Sequence, residues 1–81
     1  MTKSEMYDHM ATQLAPYWER DGVLLDEHSA LWKQAREIDD WLCQYKEDDR
    51  VSVEQYARNC QRLIDLYRGD AWRLMRQQMT A

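Results

Sequence analysis

Residues 42–60 read LCQYKEDDRVSVEQYARNC, and the fold turns on how this stretch is parsed. Its centre, Glu47-Asp48-Asp49-Arg50, is all charge, whereas Leu42 and Tyr45 before it and Tyr56 and Cys60 after it recur at helical spacing. Ser52 with Gln55 three residues on is a capping-box pair, and Val51 with Tyr56 occupies the hydrophobic-staple positions, so a helix begins at Ser52. The stretch therefore reads as the end of one helix, a charged turn at Glu47–Val51, and the start of another.

Working backward, Leu24, His28, Leu31, Ala35, Ile38, Leu42 and Tyr45 alternate in steps of four and three, a heptad seam. Working forward, Tyr56, Cys60, Leu63, Tyr67 and Leu74 continue the same pattern with Asp70 as a polar intruder. In an antiparallel hairpin, opposed residues keep a constant number sum. Tyr45 with Tyr56, Leu42 with Cys60, Ile38 with Leu63, Ala35 with Tyr67 and His28 with Leu74 all sum to 101 or 102. Small faces large at Ala35/Tyr67 and Cys60/Leu42, as interdigitated packing requires. The register runs on past Gly69, which predicts one long helix carrying a weak point of about 1 kcal/mol relative to Ala.

A third helix precedes the hairpin. Thr2 and Glu5 form a capping box, and Met6, Met10, Leu14 and Trp18 recur every four residues on one face. Pro16 disfavours helix at Ala15 and removes a donor, predicting a break or kink, and Asp21-Gly22 closes the segment. One edge of the hairpin seam carries Leu25, Trp32, Ala57, Ile64 and Ala71, a dock for the Met6/Met10/Leu14/Trp18 stripe. The expectation is an all-α fold: a small three-helix bundle on a long antiparallel hairpin, one domain over 1–81, with helices at 3–20 (kinked at Pro16), 25–46 and 52–79.

Composition narrows function more by exclusion. The chain has 81 residues, net charge −4, four Trp, five Tyr and no Phe. The charge is uneven: residues 1–50 hold 12 acids and 6 bases, and residues 51–81 hold 3 acids and 5 bases. A pI near 5.0 argues against duplex binding as the main activity, since such proteins show a basic face. MTKSEMYDHM lacks the apolar stretch of a secretion signal, no 18-residue apolar run offers a membrane span, and two cysteines give neither framework nor CxxC. A cytoplasmic protein with reduced thiols is expected, with no membrane association.

Catalytic and metal-binding constellations do not assemble. Neither His9 nor His28 lies at ligand spacing from Cys43 or Cys60, and Cys60 sits about two heptads from His28 in the register. The carboxylates at Asp26/Glu27, Asp39/Asp40 and Glu47–Asp49 are sequence neighbours that point about 100° apart on a helix, and Arg68-Gly69-Asp70 falls mid-helix, so its likeness to the integrin-binding tripeptide is coincidental. No enzyme, cofactor or metal is expected.

What remains is surface. Trp41 and Leu66 fall on the seam edge opposite the first helix, and Trp72, Met75 and Met79 lie outside the seam, rimmed by Arg73, Arg76, Asp40 and Asp48. Trp, Met and Arg are the residues enriched in interface cores, so these nine are the candidate partner-binding residues, with Trp41 an anchor inside an acidic guide. Arg58, Arg62 and Arg68 are candidate phosphate contacts beside them. The leading expectation is a non-enzymatic module that docks on a larger protein and inhibits or modulates it, as small phage and mobile-element inhibitors of nucleic-acid-binding host machines do. The alternatives are a small dimeric nucleic-acid-associated regulator using the Arg-rich third helix, and a structural or adaptor homodimer.

Overall fold

A computed structural model of the chain describes residues 1–21 and 30–80, and the side chains of all but the last two of these. The described residues are all-α, a small helical bundle of α1 (Lys3–Asp21), α2 (Ala30–Gln44), α3 (Val53–Arg68) and α4 (Asp70–Thr80). α1 and α2 both pack on α3, and α4 follows α3 after a one-residue break at Gly69. Among the described residues no helix is long and apolar enough to cross a membrane. Leu24, Leu25 and His28, together with the start of the expected 25–46 helix, lie outside the described residues.

The ends of the helices follow the sequence signals. Thr2 Oγ1 accepts from the Glu5 N–H at 3.1 Å, and Glu5 Oε1 accepts from the Thr2 N–H at 3.0 Å, the reciprocal capping box. Ser52 Oγ accepts from the Gln55 N–H at 3.0 Å at the head of α3. Between α2 and α3 the turn opens two residues earlier than expected, after Gln44. Its carbonyls are held from a distance: Lys3 Nζ donates to the Val51 and Asp48 oxygens, pinning the start of α1 to the turn. Within the turn Asp48 takes hydrogen bonds from the Arg50 guanidinium and from the Arg50 backbone N–H at 2.8 Å. Those two contacts hold its carboxyl well below the usual range, at about 2. An NMR pH titration of the Asp48 carboxyl should find its midpoint near that value. Arg50→Ala removes the guanidinium but keeps the backbone N–H, so it should raise the midpoint part of the way toward about 3.9, the ordinary aspartate value, and a midpoint unmoved by that change would show that the guanidinium is not a cause.

The hairpin core is largely the expected one. Ala35, Leu42, Tyr56, Cys60, Leu63 and Tyr67 are buried, joined by Ile64 and by Met10 and Leu14 from α1. Tyr56 donates its buried hydroxyl to the Leu42 carbonyl at 2.6 Å, tying α3 to the last turn of α2. α1 lies along the expected edge, with Met6 and Met10 beside Ala57 and Ile64 and with Trp18 beside Trp32. Of the break or kink expected at Pro16, the break is absent: α1 is one continuous helix through it. An interior proline loses a backbone hydrogen bond and crowds the preceding turn, at a cost of about 3 kcal/mol, and burial of Met10 and Leu14 with half-burial of Tyr17 and Trp18 on either side offsets it.

The continuous 52–79 helix is the expectation the structure overturns. α3 ends at Gly69, whose φ of −75° and ψ of 164° are extended, and whose N–H turns back to the Leu66 carbonyl. A Cβ at this position would lie 3.1 Å from the Asp65 carbonyl oxygen, so glycine permits the close approach. The chain then restarts as α4 with Asp70 in its first turn, where a carboxylate favours the helix dipole. The redirection inverts two assignments. Leu74, expected in the seam, is 55% exposed, and Trp72, expected on the surface, is 1% exposed. Burying an aromatic removes roughly 200 Å² from water, worth about 5 kcal/mol at 25 cal/mol/Å². Breaking one turn of helix forfeits only a few hydrogen bonds of about 1 kcal/mol each, so the tryptophan wins.

Trp72 lands in an aromatic cluster that joins three helices. Its ring centroid lies 4.2 Å from that of Tyr67, and Tyr17 packs on the other side of Tyr67 at 5.8 Å. The Tyr67 hydroxyl accepts from Trp18 Nε1 at 3.1 Å. Trp18, Tyr67 and Trp72 use their polar tips to cross between helices, which is what the Trp/Tyr-rich, Phe-free composition supplies.

Candidate functional site

The expected partner-binding residues divide into two places. Trp41 and Leu66 remain on the edge of the hairpin that α1 does not cover. Trp41 is half-buried, packed on Tyr45 at 5.1 Å and Tyr56 at 6.0 Å between ring centroids. Leu66 and Ile38 floor an adjoining open depression of about 520 Å³, rimmed by Gln34, Glu37, Arg62 and Asp65. Asp40 is exposed one turn from Arg36, with a 3.7 Å ion pair of the weak surface kind. Asp48 lies in the turn and is taken up by Arg50.

Trp72, Arg73, Arg76 and Met75 do not extend that edge, because the break at Gly69 carries them to the end of α1. Trp72 is interior, so it is corrected from a surface anchor to a core residue. Met75 is half-buried against the core, and the Met79 side chain lies outside the described residues. Arg73 donates to Asp70 at 2.6 Å, and Arg76 Nε lies 2.9 Å from Asp21 Oδ1. Of the candidate phosphate contacts, Arg58 and Arg62 sit on the outer face of α3, Arg62 donating to Asn59. Arg68 instead turns toward α1 and donates to Gln13 Oε1 at 3.3 Å.

Asp21 has the most unusual environment. It is 1% exposed, yet it accepts from Arg20 Nε at 2.9 Å and Nη2 at 3.1 Å and from Trp72 Nε1 at 2.9 Å, with Arg76 on its other side. Burial pushes this carboxyl up, but the hydrogen bonds from Arg20 and Trp72 and the two guanidinium charges more than offset it, and the group sits below the ordinary aspartate value. It is ionised at neutral pH and ties the last turn of α1 to α4.

No family model, curated protein or solved structure matches this chain. The site is therefore read from its own chemistry. Burial pushes the Cys60 thiol up to about 11, so it is protonated at neutral pH and behaves as a small apolar group of the core. Its expected distance from His28 falls outside the described residues. Cys43 is exposed and contacts the Tyr7 hydroxyl at 3.3 Å, which in turn donates to Asp39 at 2.9 Å, while Lys46 lies over the Tyr7 ring. These contacts fasten α1 to α2. Burial, and hydrogen bonding to Cys43 and Asp39, push the Tyr7 hydroxyl up and keep it protonated. Among the described residues no three His, Cys, Asp or Glu side chains gather closely enough to hold a metal ion.

Sequence reasoning passed over Arg20, Asp21 and Tyr17, which now share a cleft with Arg68, Trp72, Arg73 and Arg76. Asp21-Gly22 was legible as a helix terminus, but nothing local marks that carboxylate as buried. Besides the adjacent Arg20, its partners Trp72 and Arg76 lie more than fifty residues away and reach it because the chain turns at Gly69.

Proposed function

We propose that the protein is a non-catalytic binding module that docks on a larger protein through the open edge of the α2–α3 hairpin and inhibits or modulates it by covering part of its surface. The observation that supports this is the depression lined by Ile38 and Leu66, with Glu37, Arg62 and Asp65 around it and half-buried Trp41 one helical turn along α2 from Ile38. An apolar floor with an arginine and charge at its rim, and a tryptophan on the next turn, is the anatomy of an interface core and rim. A trough between two packed helices suits an amphipathic helix of the partner laid along it. The mixed rim speaks against an extended nucleic-acid track along α3, because Glu54 and Asp65 flank Arg58 and Arg62 on its exposed face and end the basic stretch after two residues.

The test is capture from nuclease-treated lysate of the host cell with wild-type protein and with Leu66→Glu. Leu66 is only half-buried, so the variant should keep its helicity and melting behaviour. The expected result is one protein retained in stoichiometric amount by wild type, lost at least tenfold with Leu66→Glu, and insensitive to moderate salt. Retention by a correctly folded Leu66→Glu chain would overturn the assignment of this edge. A concentration-dependent dimer abolished by the same change, with no foreign protein retained, would identify the edge as a self-interface instead.

A further inference from the structure

A second site, at the other end of the molecule, carries a different chemistry. The cleft of about 170 Å³ where α1, α3 and α4 meet is lined by four guanidinium side chains, Arg20, Arg68, Arg73 and Arg76, together with Tyr17 and Trp72. Only 11 of the 81 residues are Lys or Arg, and the chain as a whole is negative. Gathering four arginines here is not explained by Asp21 alone. That carboxylate engages Arg20 and Arg76, while Arg68 is bonded to the neutral Gln13 and Arg73 to the exposed Asp70. Among the described residues, with Asp21 and Asp70 set against the four arginines, the cleft keeps a net charge of about +2.

We infer that this cleft is an anion site for a compact phosphoryl group, an oligophosphate or phosphomonoester rather than a polymer backbone. Arg20 commits Nε and Nη2 to Asp21, Arg68 commits Nη2 to Gln13, and Arg73 commits Nη2 to Asp70. A guanidinium has five N–H donors, so those three side chains hold most of their donors in reserve, in the planar fork that fits phosphate oxygens. Gly69 lines the same cleft at the head of α4, whose first-turn N–H groups add a partial positive charge. Asp21 is the reason the arrangement is rigid. It fixes Arg20 and Arg76 from below, so less side-chain freedom is lost when an anion arrives. A compact ligand is favoured because the positive field is local. Glu54 and Asp65 on the outer face of α3 interrupt any longer anionic track leading away from Arg68.

The experiment is a titration of the full chain with inorganic pyrophosphate at low ionic strength, read by calorimetry and by the tryptophan fluorescence of the cleft. Wild type should bind in one-to-one stoichiometry. Arg68→Met/Arg73→Met should weaken binding by about a hundredfold, a tenfold loss per charge-assisted contact. Both arginines are exposed, so the melting temperature reports whether the variant still folds. Lys33→Ala/Arg58→Ala removes the same charge from other exposed positions and should change the affinity less than twofold. Equal losses in the two double variants, or no saturable binding by wild type at millimolar pyrophosphate, would overturn the proposal. A single-stranded deoxythymidine oligomer that binds more tightly than pyrophosphate, and is lost with the Arg68/Arg73 variant, would overturn the compact-ligand assignment in favour of a phosphodiester backbone.

Discussion

Trp72→Ala is expected to lower stability by about 3–5 kcal/mol, the range for removing a large buried aromatic. A domain of this size has a total of roughly 4–12 kcal/mol, so much or all of its folded population is at stake. The magnitude follows from where the indole sits: 1% exposed, stacked at 4.2 Å on Tyr67 and hydrogen-bonded to Asp21. Trp72→Phe keeps an aromatic face against Tyr67 but removes one of the two hydrogen bonds to Asp21 Oδ2, leaving that from Arg20 Nη2, and should cost about 1–2 kcal/mol, the loss of one hydrogen bond to a charged group plus the smaller ring. The control lies two residues away. Leu74→Ala, at a side chain 55% exposed, should stay within about 0.5 kcal/mol of wild type. The measurement is urea unfolding of the three variants followed by circular dichroism, with amide exchange to localise the loss to α4 and the end of α1. A mild Trp72→Ala beside a severe Leu74→Ala would restore the continuous 52–79 helix and remove the break at Gly69.

That reversal marks where the sequence stops being legible. The hairpin was readable because heptad spacing and capping signals agree: Leu42, Tyr56, Cys60 and Leu63 are where the constant-sum register puts them. Thr2 and Ser52 cap the helices their neighbours advertise. The docking edge for α1 was readable too, since an apolar stripe and an apolar flank each needed a cover. Beyond Gly69 the pattern misled. Leu74 kept the period, and one glycine at about 1 kcal/mol looked too small a penalty to end a helix. The deciding energy belonged to Trp72, and it is realised only through tertiary contacts with Tyr67, Tyr17 and a carboxylate on another helix. For the same reason Arg73 and Arg76 were assigned to the wrong neighbourhood, and Arg20 and Asp21 to none. Trp41 and Leu66, upstream of the break, are both half-buried, and Trp41 leans on Tyr56 more than a free anchor would.

Asp21 carries the second large effect, and it separates charge from shape. Asp21→Ala removes the acceptor from Trp72 Nε1 and from two guanidinium groups at once. Breaking a buried ion pair costs about 3–5 kcal/mol, but the arginine side chains here are 44% and 34% exposed and recover water, so a loss of about 2–4 kcal/mol is expected at pH 7 once solvent screening is discounted. Asp21→Asn keeps an oxygen for the indole and loses the charge, and should cost about half as much. The pH dependence then identifies the charge. The folded carboxyl sits below its ordinary value, so its stabilisation is fully present above about 3.9, the unfolded aspartate value, and is lost as pH falls through the lower folded value. The gap between wild type and Asp21→Asn should therefore be constant from pH 7 to about 5 and close in more acid solution. Urea unfolding of both proteins at several pH values between 7 and 2.5 measures it. A gap that persists unchanged at the acid end would mean that Asp21 acts through packing and the indole hydrogen bond alone. In that case the two arginines beside it would be held for some purpose other than stability, and the anion cleft they line would become the stronger explanation for their presence.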